Sequence, residues 1–253
     1  MKEKKDENKE EKFNKPKLNP CLKTFKESIL EWWKNINGFI NIWAWSILYA
    51  GAIIVGFMLI INLINNFANN YYWLLLLIPL SFLVLVFLVY FLTKASISIL
   101  LYIKNAYKGD TKKLYHSESE KYFWPYLGIS LMTFIFVLLW SFLLIIPGIV
   151  FSIFYTFALY VFIFEGKRDI EAIRRSKNLV KNYFWPVLLR IALVAIVFII
   201  LFSILEIPLS FVSEESVFFS IWNIILQIIA LIVSPLSIIY LSKIYKNLVK
   251  IKD

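Results

Sequence analysis

Two groups of side chains in this sequence have types and spacing that could do chemistry. Arg174, Arg175, Lys177 and Lys181 fall in one short segment. Guanidinium and ammonium groups clustered in this way are the donors that bind phospholipid headgroups, above all anionic ones. Glu206, Asn223 and Gln227 form the second group. Asn223 and Gln227 are four apart and share a helix face. Glu206 ends the preceding apolar run on the same side, so the three could meet as a small outer polar site, which gives the alternative reading of a small transporter or permease with an outer polar vestibule. Each group also has a plainer reading. Basic residues collect on the cytoplasmic side of any membrane protein, and amides hold apolar helices together.

The other reactive residue types exclude several classes of enzyme. Asp6, Asp110, Asp169 and Asp253 lie in tails or basic loops and none falls inside an apolar run, which argues against a paired-aspartate membrane protease. There is no His-Glu-x-x-His for a zinc protease and no Gly-x-x-x-x-Gly-Lys phosphate loop. His116, the single histidine, stands near Glu118 and Glu120 and reads as a solvated loop residue. Cys21 is the only cysteine, so no internal disulfide and no Cys/His metal site is expected. The sequence calls for no cofactor and no enzymatic activity.

The elements that must position these residues are apolar. The 253 residues are 60% hydrophobic and 17% charged, with a mean hydropathy of +0.72. A soluble domain is nearer half apolar and about a quarter charged. The expected fold class is all-α, a polytopic integral membrane protein with six transmembrane helices and amphipathic helices on the inner face. The spans are placed at about 39–64, 72–93, 126–146, 149–164, 186–205 and 217–241. Together they form a transmembrane domain over 39–245, followed by a basic tail at 246–253. With both termini inside, all 27 Lys and Arg fall on the cytoplasmic side or at its edge, and the three outer loops carry none. The same bias accounts for the net charge of +10 without nucleic acid. The expected setting is the cell membrane, and the expected partners are membrane lipids, anionic ones among them, and a protein.

Residues 1–19 form a Lys/Glu tail too polar to bury a core, expected to be disordered. No cleavable leader is expected, because the first apolar run starts near Phe39. Over 20–38, Leu22, Phe25, Ile29, Trp32, Trp33 and Ile36 recur at helical steps, with Asn19 as N-cap and Pro20 at the first helical position. The tryptophans favour an interfacial helix, the alternative being a short helix packed on the bundle. Asn65–Asn70 reads as an uncharged turn, and Lys94 as an interfacial residue that snorkels.

The 39 residues from Tyr126 to Phe164 carry no charge and have basic flanks. Two crossings reversing at Pro147-Gly148 satisfy that pattern, with glycine supplying left-handed torsions. The alternative is a kinked re-entrant pair. Lys167–Phe184 then reads as a basic amphipathic helix. Asp169 is its N-cap, Ile170, Ile173, Leu179, Val180, Tyr183 and Phe184 form its apolar face, and Glu171 pairs with Arg175. Glu206, Glu214 and Glu215 make the one charged outer loop.

Tyr-Phe-Trp-Pro occurs twice, at Tyr122–Pro125 and Tyr183–Pro186. Tyrosine pairs five apart recur at Tyr102/Tyr107, Tyr155/Tyr160 and Tyr240/Tyr245. These echoes predict three parallel units, each an inner segment followed by an out-and-back helical pair.

Pro147-Gly148, Glu165-Gly166, the run Glu171-Ala172-Ile173-Arg174-Arg175-Ser176-Lys177-Asn178-Leu179-Val180-Lys181 and Phe184-Trp185 make a recognisable pattern. It resembles the membrane domain of bacterial glycerophosphoryl diester phosphodiesterases and related stand-alone membrane proteins of unknown function. The match is best over about 125–208. The resemblance implies a six-span fold. It does not imply hydrolase activity here, because no catalytic barrel is expected in the twelve residues after Leu241.

Overall fold

The computed structural model describes residues 18–67, 74–213 and 216–252. Every regular element among them is helical. Helix α1 (Cys21–Lys34) leads into α2 (Ile36–Phe67), and α3 (Leu74–Lys104) returns. Two short turns, Thr111–Lys113 and a π-helical Leu114–Glu118, feed α4 (Ser119–Leu143). Helices α5 (Ile145–Tyr155) and α6 (Ala158–Glu165) together form the next crossing, followed by α7 (Asp169–Val180). The last pair is α8 (Phe184–Glu206), which ends in a 3₁₀ turn, and α9 (Val217–Lys252).

Six segments are long and apolar enough to cross a membrane: Ile36–Asn62, Ile78–Lys104, Thr111–Phe142, Ile145–Glu165, Phe184–Phe211 and Val217–Lys252. At 1.5 Å per residue α4 covers about 37 Å and α5–α6 about 31 Å, enough for a hydrocarbon core of about 30 Å. The chain is a polytopic α-helical membrane protein built from consecutive helical hairpins.

Burial is concentrated at one end of the bundle. Phe39 and Ile42, Ala95–Ile103, Phe157–Ile163, Ala172–Val180 and Ile239–Leu248 supply most of the core there. The opposite halves expose large apolar side chains, from Met58 and Leu59 to Phe211 and Val217. Water would penalise that surface heavily, whereas lipid tails do not. The packed end also carries α1, α7 and the clustered lysines and arginines, and is called the basic end below.

Helix α1 lies along α9. Thr24 and Ser28 are the residues it buries, and each turns its hydroxyl back to its own helix, to the carbonyls of Pro20 and Thr24. Phe25 packs edge-on against Tyr240 at 5.9 Å. Trp32 Nε1 donates to the Ile232 carbonyl at 3.0 Å, and Ser234 Oγ donates to the Leu231 carbonyl at 2.9 Å. Both carbonyls lie one turn before Pro235, which has no N–H to offer, so side chains supply donors at this point of α9. Leu22, Ile29, Leu30 and Trp33 stay exposed. The apolar face read from periodicity is thus divided between α9 and the outside.

Several boundaries differ from the sequence expectation. Pro20 is the cap residue of α1, and the Asn19 side chain instead donates to Asn247 Oδ1 at 3.1 Å. The junction expected at 38–39 comes at Asn35. Helix α2 continues through Asn65–Phe67; the rest of that expected turn, the span start near Tyr72, and residues 1–17 of the tail lie outside the described residues. The reversal between α4 and α5 is at Leu144, whose extended backbone (φ −159°, ψ 138°) breaks the helix one turn before Pro147-Gly148. Pro147 then sits in the first turn of α5, where a missing N–H costs nothing. Gly148 is buried against Ser141, where an added Cβ would lie 2.8 Å from Ser141 Cα. Close approach, not left-handed torsion, is what requires glycine there.

Candidate functional site at the basic end

Helix α7 owes its position to a discontinuity in its neighbour. Between α5 and α6 the helical ladder lapses at Thr156-Phe157. The buried Ser176 hydroxyl of α7 enters that gap, accepting from the Phe157 N–H at 3.1 Å and donating to the Phe154 carbonyl at 2.7 Å. Ala172, Ile173, Leu179 and Val180 pack beside it. Ile170 is exposed, so it does not belong to the apolar face as expected. The N-cap residue is Arg168, and Asp169 is the first helical residue with a left-handed φ of 50°.

Of the four basic candidates, the structure sets one apart. Arg175 Nε lies 3.2 Å from both oxygens of Glu165. It does not pair with Glu171, as spacing alone predicts; Glu171 is exposed. Glu165 also accepts the Tyr245 hydroxyl at 2.8 Å and pairs with Lys167 at 3.3 Å. The chain can fold back at Glu165 because Gly166 takes φ 76°, the left-handed cap that closes α6 with its N–H on Phe162 O at 3.0 Å. Lys104 Nζ caps the same helix end at the Ile163 carbonyl. Arg174, Lys177 and Lys181 point outward and are exposed; the Lys177 ammonium lies 5.5 Å from the Phe151 ring centre. Lys252 reaches the Asn178 carbonyl at the same surface.

A second carboxylate cluster joins α1 to the core. Tyr107 donates to Glu31 Oε2 at 2.8 Å, and Lys243 pairs with Glu31 at 2.7 Å and Glu27 at 3.6 Å. Tyr107 holds a left-handed φ of 62°. Burial first, then the hydrogen bond to Glu31 and its charge, push the Tyr107 hydroxyl well above its ordinary range. The spacing of the tyrosine pairs is the signal that pointed to Tyr107 and Tyr245. Their shared use of a glutamate acceptor was not readable.

Glu206, Asn223 and Gln227 are not joined by a hydrogen bond among the described residues. Glu206 and Gln227 are exposed, and Asn223 Nδ2 donates to the Phe219 carbonyl of its own helix at 3.1 Å. Trp222 ties α9 to the end of α8 by donating to Leu205 O at 2.9 Å. Glu214 and Glu215 lie outside the described residues.

Two expectations about single residues change. Lys94 does not reach outward: it is 6% exposed, with Nζ 5.3 Å from the Tyr90 ring centre and 5.4 Å from that of Tyr115. His116 is enclosed by Trp45, Tyr49 and Tyr115 at 5.0, 5.8 and 5.3 Å, and its Nε2 is buried without a hydrogen-bond partner among the described residues. Between α4 and α5–α6, Ser130, Thr133, Ser152, Tyr155 and Thr156 line a cavity of about 340 Å³, a concentration of hydroxyls that sequence reading passed over.

Among the described residues no group of three or more His, Cys, Asp or Glu could hold a metal ion. The site offers cations and packed aromatics at the basic end of the helix bundle. Comparison with protein-family models, curated proteins and solved structures finds no match.

Proposed function

We propose that this protein is a non-enzymatic, lipid-contacting module of the cell membrane, with its basic end and both termini in the cytoplasm. The observation that carries this reading is the two-sidedness of α7. One face is buried through Ala172, Ile173, Ser176, Leu179 and Val180, while Arg174, Lys177 and Lys181 are presented outward beside the span ends. A basic surface held rigidly at headgroup depth attracts anionic lipid, at about 1 kcal/mol per residue. Arg175 is excluded from the contacting set because its guanidinium is engaged by Glu165.

The resemblance to phosphodiesterase membrane domains supports an embedding role for the α7 motif, with Ser176 and Arg175 serving the fold and Arg174, Lys177 and Lys181 the lipid. The three-unit reading gains support from side-chain geometry. Phe123–Trp124 and Phe184–Trp185 have ring centres 5.4 and 5.6 Å apart at 79° and 80°, with each tryptophan exposed.

The test is anionic-lipid retention on purification. Replacing Arg174, Lys177 and Lys181 together by Gln removes about 3 kcal/mol of surface attraction, so retention should fall by up to roughly a hundredfold. Unchanged retention would count against the proposal.

A further inference from the structure

Between α3 and α4 runs an open groove of about 450 Å³, within the roughly 300–1,000 Å³ range of ligand pockets. Leu85, Val86 and Val89 line it from α3, and Phe123, Trp124 and Leu127 from α4. Its polar end is made by Tyr90 and Glu120. Glu120 stands at the start of α4, opposite Tyr90 near the middle of α3, and the apolar residues continue from them away from the basic end. The groove is therefore polar on the side of the basic end and apolar beyond it.

The charges at the polar end are of both signs. Among the described residues Glu27, Glu31 and Glu165 each have a cation within 3.6 Å. Glu120 has none: its one hydrogen bond is from the Tyr90 hydroxyl, at a long 3.5 Å. Its acceptor capacity is open to N–H donors. Lys94 lies behind it, with its ammonium over the Tyr90 ring. An anionic headgroup would be repelled by Glu120. A quaternary ammonium finds the exposed Trp124 ring but has no N–H to give to Glu120, which a primary amine has.

We infer that this groove holds one zwitterionic phospholipid bearing a primary amine, with the amine on Glu120 and an acyl chain along the α3–α4 groove. This site is separate from the α7 surface and does not depend on it.

The experiment is native mass spectrometry of the full chain in detergent, titrated with phosphatidylethanolamine or phosphatidylcholine of identical chains. Wild type should retain one phosphatidylethanolamine with about a tenfold preference, the worth of one hydrogen bond to a charged group. Glu120→Gln should abolish most of that preference. Val89→Trp, which fills the groove from an exposed position, should remove retention of both lipids. The Arg174, Lys177 and Lys181 triple variant should keep the preference, which separates this site from the proposed function. Equal retention of the two lipids by wild type would overturn the inference, as would an unchanged preference in Glu120→Gln. A dimer broken by Val89→Trp, with no lipid bound, would also overturn it and assign the groove to a second copy of the chain.

Discussion

The Phe157 N–H donates to Ser176 Oγ at 3.1 Å, across a break that divides one membrane crossing into α5 and α6. The same hydroxyl donates to the Phe154 carbonyl, so one side chain from α7 satisfies both ends of the lapse. This bond fixes which face of α7 is buried, and so which basic residues are left facing outward.

Ser176→Ala should therefore cost more than the loss of a surface hydroxyl. It orphans a buried N–H and a carbonyl, at about 1–3 kcal/mol. Thermal unfolding in detergent should shift down by several degrees. An unaltered melt would show that apolar packing alone docks α7.

Gly148→Ala tests the approach of α4 and α5. The new methyl would run into Ser141 Oγ and lie 2.8 Å from Ser141 Cα. The helices must separate, at about 1–3 kcal/mol or more. Adding Ser141→Gly should restore only part of the stability, because the clash with the backbone of residue 141 remains. Full recovery would place the strain in the hydroxyl alone.

Arg175→Gln and the triple replacement of Arg174, Lys177 and Lys181 should separate stability from lipid retention. Arg175 and Glu165 have side chains only 21% and 19% exposed, and breaking their charge-assisted pair should cost about 1.5–3 kcal/mol. Arg175→Gln should lower the melting temperature and leave anionic-lipid retention in place, and the triple variant should do the reverse. Equal lipid loss in both would return Arg175 to the contacting set.

Tyr107 gives the fold an alkaline limit. Its hydroxyl is held protonated well above its ordinary value of 10.0 by burial and by Glu31. Below that value both folded and unfolded chains carry the proton, and its contribution is fully present. As pH rises further the unfolded chain releases the proton and the folded chain keeps it, so stability falls by up to about 1.4 kcal/mol per pH unit. Melting curves from about pH 8 to about pH 11 should fall less steeply for Tyr107→Phe than for wild type. Parallel curves would show that Tyr107 titrates normally.

The sequence by itself determined the class of this protein and that six apolar helices would be present, but not their exact bounds. Its uncharged runs are long and apolar enough to cross a bilayer, and six such helices form. It also located a hairpin within Tyr126–Phe164, because one helix of that length would overshoot the bilayer. What it could not locate was the hairpin's turn, because extended backbone at Leu144 is set by how α4 and α5 pack and not by a turn residue. Nor could it divide the cations. Arg175 meets Glu165 only because Gly166 reverses the chain, and Tyr245 joins them from eighty residues away. Periodicity assigns an apolar face but no partner. In a bilayer even that assignment is blurred, since residues such as Leu22 and Trp33 remain exposed on a helix whose small polar residues, Thr24 and Ser28, are the buried ones. Where lipid is as apolar as the core, close approach and hydrogen bonding decide which helix faces pack together, and those belong to the tertiary structure.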